Sequence, residues 1–116
     1  MHDIGKNLVK IMLEGAGFEV LDLGVDVSAE RFIDAAITEH CDMIACSALL
    51  TTTMSEMKRV VDLAVERGIR DSLIIIVGGA PITQSFCDDI GADGYADDAA
   101  QCATVASRLI SAKKAV

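Results

Sequence analysis

Apolar and polar positions in this chain follow two alternating rhythms, and each rhythm predicts an element. From Lys6 to Gly15 the apolar residues Leu8, Val9, Ile11, Met12 and Leu13 recur on a helical period, with Gly15 and Gly17 supplying a stop. Phe18 to Leu23 reads as a strand closed by Gly24. Ser28, followed by Glu30 and Arg31, starts a helix through Phe32, Ile33, Ala36 and Ile37. Met43 to Ser47 is a second strand, and Ser55 caps an amphipathic helix carrying Met57, Val60, Val61, Leu63 and Ala64 to its end at Gly68. Leu73 to Val77 is the strongest strand, five consecutive aliphatic residues stopping at Gly78-Gly79. Pro81 suits the first turn of a helix running to about Ile90. A short strand near Gly94-Tyr95 and a closing helix from Asp98 to Ala112 complete the series. Strands alternating with helices over short links predict an α/β fold with a doubly wound parallel sheet.

Composition narrows this picture without changing it. Residues 1–116 suffice for one domain with helices on both faces of a sheet, and no repeat, linker or low-complexity segment divides them. Hydrophobic residues make up 52% of the chain, yet the aromatic ones are only Phe18, Phe32, Phe86 and Tyr95, so the core is aliphatic. No apolar run approaches the roughly 20 residues that span a bilayer, and no basic start leads into an apolar stretch. A cytoplasmic protein is expected, with no membrane partner. A net charge of −8 argues against a nucleic-acid partner, which is bound by neutralising phosphates, and is compatible with docking to basic protein surfaces. Cys41, Cys46, Cys87 and Cys102 form no C-x-x-C pair; Cys46, inside an apolar run, reads as a small core residue.

Candidate chemistry sits in three short stretches. His2 precedes Gly5 by three positions on a loop that opens a helix, where an imidazole can reach a metal and a glycine admits a flat ligand. Ser47 and Leu49 follow a strand, and Gly78-Gly79 end another, which is where ligands of open α/β sheets bind. Each stretch alone is ordinary: a terminal surface histidine, a loop hydroxyl, a turn. Thr51-Thr52-Thr53 alone is a polar loop, Met12, Met43, Met54 and Met57 read as packing, and His40 near a helix end suits the helix dipole better than a metal. Neither strand end carries the Asp of a phosphoacceptor receiver, and no Ser/Thr/Gly-rich phosphate loop marks a flavodoxin-like carrier.

Taken jointly, His2-x-x-Gly5, Ser47-x-Leu49 and Gly78-Gly79 resemble the cobalamin-binding domain of the methyltransferase type, found in methionine synthase and in small corrinoid methyl carriers. The resemblance covers the whole chain, and His2-Asp3-Ile4-Gly5-Lys6-Asn7 is closer to the methyl carriers than to the mutases. It implies a Rossmann-like, flavodoxin-like domain that binds cobalamin with its own base displaced and its nucleotide tail buried. His2 would ligate cobalt, with Asp3, Ile4 and Gly5 beside the corrin. Ser47 would bond the buried base and Leu49 would line its slot, while Thr51 would touch the corrin and Thr53 would stand near the histidine. Gly78 and Gly79 would leave room for the tail, with Tyr95, Ala96 and Ala99 at the same edge of the sheet.

The implied function is a methyl carrier between a substrate-specific methyltransferase and an acceptor methyltransferase, served by a reductive activation protein and not catalytic alone. A radical mutase subunit and a cobalamin-dependent sensor are the alternatives. Two departures stand out. The family pattern D-x-H-x-x-G places an Asp before Met1, and the first strand that should feed the His2 loop is absent. An N-terminally truncated fragment of a longer chain is therefore expected.

Overall fold

The structure, a computed structural model, describes residues 10–21, 28–47, 54–79 and 82–114. Residues 10–15 are helical (α1). They are followed by α2 (Ala29–Thr38), β1 (Met43–Ser47), α3 (Met54–Glu66), a 3-10 turn (Arg70–Ser72), β2 (Ile74–Gly78), α4 (Gln84–Ile90), β3 (Gly94–Ala96) and α5 (Ala99–Lys114). The strands form one parallel sheet in the order β1-β2-β3.

Strand alternation splits the core in two. Ile44, Cys46, Ile75 and Val77 meet α2, α3 and α4 on one face. Ile74, Ile76 and Ala96 meet α1 and α5 on the other. β2 is buried on both faces, as an inner parallel strand must be, and this accounts for its unbroken aliphatic run. Cys46 lies in the core as expected, and burial pushes its thiol up to about 12.

α2 and α3 run alongside each other and are joined at several levels. The Glu56 carboxylate accepts from the Ala29 amide at 2.8 Å, Arg59 pairs with Glu30, and Arg67 reaches Asp34 at 3.3 Å. The last two pairs are solvent-exposed and contribute little each. The Arg59 guanidinium nevertheless holds Glu30 below the usual carboxylate range.

Four helices end in one hydrogen-bond pattern. An amide just past each helix donates back five residues: Phe18 to Leu13, Cys41 to Ala36, Ile69 to Ala64 and Ala92 to Cys87, at 2.9–3.1 Å. Between them sits a residue with positive φ, glycine at 17, 68 and 91 but His40 (φ 55) after α2. An L residue in that region costs about 1–2 kcal/mol, so α2 closes under local strain that the other three avoid.

At the amino end of the sheet a charged clasp completes the ladder. Arg70 donates through Nη1 to the Leu73 carbonyl and to Asp93 Oδ2, both at 2.9 Å, and through Nη2 to the Gly91 carbonyl at 2.6 Å. Asp93 Oδ2 also accepts from the Ile75 amide at 2.8 Å, while the Asp93 amide donates to the Ile75 carbonyl at 2.8 Å. The residue before β3 thus behaves as an extra rung.

Several expected boundaries shift. The strand expected over Phe18–Leu23 is not one where it is described: residues 18–21 pair with no strand, and residues 22 and 23 lie outside the described region. Phe18 and Val20 still turn inward onto the α1–α5 core while Glu19 and Leu21 face solvent, so the alternation reflects burial without a ladder. Ser55 does not cap α3, because the helix already begins at Met54. The fourth helix is capped by Thr83, whose hydroxyl accepts from the Phe86 amide at 3.1 Å; it starts after position 81, not at Pro81. Ser28 caps α2 as expected, accepting from the Arg31 amide. Among the described residues the outer edge of β1 has no strand partner.

Candidate functional site

Parallel register brings the carboxyl ends of the three strands level. Ser47 pairs with Gly78, and Gly78 with Ala96, so three expected site residues form one row across the sheet. Their side chains are a hydroxymethyl, a hydrogen and a methyl. Ala96 turns its methyl into the α5-side core, leaving its backbone at the edge. A row this low lets a planar group approach the main chain end-on. Gly79 follows with φ 119, a conformation that side chains rarely adopt. Tyr95 stands one position back, level with Val77, its ring half-buried against the α3–α4 side of the core. Ala99, the first residue of α5, is buried and serves packing.

Gly78 has a reason to be glycine that lies within the sheet. A Cβ at this position would stand 2.6 Å from the Ala96 carbonyl oxygen, inside any tolerable contact. Its expected role of leaving room for a ligand is thus joined by a requirement of the β2–β3 pairing itself.

The link from β3 to α5 at this edge is capped by the protein's own groups. Asp98 accepts from the Gln101 amide at 2.7 Å, and the Gln101 side chain accepts from the Asp97 amide. Tyr95 donates its hydroxyl proton to Asp97, and that bond raises the phenol's pKa above its ordinary value. Sequence reasoning missed Glu56, Thr83, Asp97 and Gln101. Only Asp98-x-x-Gln101 left a visible trace, as the spacing of a capping box ahead of an apolar run.

Seven expected residues, His2, Asp3, Ile4, Gly5, Leu49, Thr51 and Thr53, lie outside the described region. Among the described residues no group of three or more His, Cys, Asp and Glu could hold a metal ion. A cavity of about 330 Å³ lies at the opposite end, lined by Arg70, Asp71, Leu73, Ile74, Asp93 and Leu109. It borders the charged clasp and takes no part in the row.

A family model described as the B12 binding domain matches residues 1–103. The chain belongs to the B12-binding domain family. Within that family it is 47% identical to dimethylamine corrinoid protein 3 of Methanosarcina mazei, over 96% of this chain and 66% of that protein. The monomethylamine corrinoid protein of Methanosarcina barkeri superposes with a TM-score of 0.88 at 40% identity, covering 93% of this chain and 52% of that one. The methanol:cobalamin methyltransferase complex of the same organism superposes with a TM-score of 0.86 at 38% identity, covering 95% of this chain and 42% of that one. The chain thus spans 42–66% of the length of these relatives. The family's ligand is a corrinoid, and the low row Ser47–Gly78–Ala96 fits it. No helix among the described residues is long and apolar enough to cross a membrane.

Proposed function

We propose that this chain binds cobalamin with its nucleotide base displaced from cobalt and carries a methyl group between two methyltransferases. The observation that supports this most directly is the level row of Ser47, Gly78 and Ala96 at the carboxyl edge of a B12-binding domain. Bound there, cobalamin supplies a cobalt centre able to accept and release a methyl group. The chain's residues hold and orient it. His2 would hold the cobalt, and a neutral imidazole is well suited to that metal. Asp3, Ile4 and Gly5 would lie beside the corrin, Thr51 would touch it, and Thr53 would stand near His2. Ser47 would bond the buried base, and Leu49, Gly78, Gly79, Tyr95, Ala96 and Ala99 would bound the slot for the tail.

The partners are a substrate-specific methyltransferase, an acceptor methyltransferase and a reductive activation protein. The similarity to a methanol:cobalamin methyltransferase complex supports the first of these. Residues 1–116 form the cofactor-bearing part of a longer protein, a reading supported by the partial coverage of the relatives. The test is the absorption spectrum of cobalamin bound to the intact protein. It should show the base displaced and histidine on cobalt, and His2→Ala should abolish the histidine signature. A spectrum untouched by His2→Ala would remove His2 from the site.

A further inference from the structure

α2 and α3 are parallel neighbours, paired from Glu30–Arg59 near their starts to Asp34–Arg67 near their ends. Each leads back to the amino end of a strand, α2 into β1 and α3 into β2, so both first turns lie toward the carboxyl edge. One link between those first turns differs from the others. Glu56, the third residue of α3, extends its carboxylate to α2, where Oε2 accepts from the Ala29 amide at 2.8 Å. Ala29 is the first residue of α2 and fully buried, and its N–H is among the donors that no carbonyl of its own helix can reach. The Ser28 hydroxyl takes the Arg31 amide, and Glu56 takes that of Ala29.

The two ion pairs join exposed side chains that must both be ordered to meet, whereas Glu56 holds main chain. Its bond therefore fixes the start of α3 against the α2 axis. Met57, the next residue, is buried in the core that also holds Ala29 and Ile33. The first turn of α3 is thus pinned from below by packing and from the side by Glu56. Glu56 follows Thr53 by three positions in the chain. We propose that Glu56 is a positioning residue for the cobalamin site: by tying the start of α3 to the start of α2, it sets where the Thr53 hydroxyl stands relative to His2. This inference rests on the cobalamin reading above, in which Thr53 stands near the histidine, and adds a residue that acts without touching the cofactor.

The test titrates the intact protein with hydroxocobalamin and follows absorbance. Glu56→Ala should weaken binding about tenfold, the smaller end of the effect of groups that orient a metal's ligands, and at saturation it should show a reduced histidine signature. Glu56→Gln keeps an acceptor oxygen at the same reach and should restore both. Arg59→Ala removes an exposed pair between the same two helices and should change neither. A full histidine signature and unchanged affinity in Glu56→Ala would overturn the proposal. So would a Glu56→Gln variant no better than Glu56→Ala, or equal losses in Glu56→Ala and Arg59→Ala, which mark a general loosening of the two helices. Glu56→Asp draws the carboxylate back by one carbon and keeps its charge. It should lose the signature in the same sense, and where Glu56→Ala does not fold, a full signature in Glu56→Asp overturns the proposal. An unaltered protein that lacks the histidine signature would overturn the cobalamin reading itself, a result distinct from all of these.

Discussion

At the amino end of the sheet, Arg70 and Asp93 saturate one another and three backbone groups, and a side-chain carboxylate stands in for a missing rung. At the carboxyl end, one strand length away, the row Ser47, Gly78, Ala96 carries almost no side chain. The first end commits three Arg70 donors and one Asp93 oxygen to the fold, which raises local stability. The second stays low and keeps its backbone approachable. The contrast teaches that the cavity beside Arg70 borders groups already engaged in the fold, while the bare edge is the one the proposed ligand would use.

Breaking the bare end should cost most. Gly78→Val places a branched carbon against the Ala96 carbonyl, so it should destabilise the cofactor-free protein by about 3 kcal/mol, measured by denaturant unfolding. A variant with unchanged stability that has lost cobalamin binding would instead show that this glycine serves the ligand alone. Breaking the clasp should cost somewhat less. Asp93→Ala strands the Ile75 amide and releases Arg70, an expected loss of about 2 kcal/mol with cobalamin affinity intact. Weakened cobalamin binding at unchanged stability would erase the distinction between the ends.

The finest test is optical. The Asp97 carboxylate beside Tyr95 holds the phenol above its ordinary pKa of about 10. Its folded value exceeds the unfolded one, so the stability from this bond is fully present below the unfolded pKa and is lost as pH rises through the folded value. Asp97→Asn should bring the phenolate absorbance midpoint down toward the ordinary value. With one tyrosine and no tryptophan the signal is unambiguous, and an unmoved midpoint would deny the contact.

The sequence made the layered fold legible because burial leaves a period. Leu73–Val77 has no polar position since β2 is covered on both faces, and Ser28 announces its helix by chemistry. Phe18–Leu23 misled for the same reason: alternating burial at Phe18 and Val20 looks like a strand whether or not a neighbour exists to pair with it. Gly78-Gly79 was legible as a place and only half legible as a cause, because a string cannot show that the Ala96 carbonyl occupies the space a side chain would need. Arg70 and Asp93 are 23 residues apart, and no local pattern joins them.

The shared hydrogen-bond pattern at four helix ends has an architectural consequence. Returns to the amino edge are standardised joints, each set by one residue of positive φ and one backward amide bond. The described link at the opposite edge, Asp97-Asp98, is held instead by the Gln101 side chain and by Asp98. Segments there can be exchanged, lengthened or grafted from a relative while the joints keep the scaffold in register. New ligand preferences can thus be installed on this domain as cassettes, without redesign of the parts that make it fold.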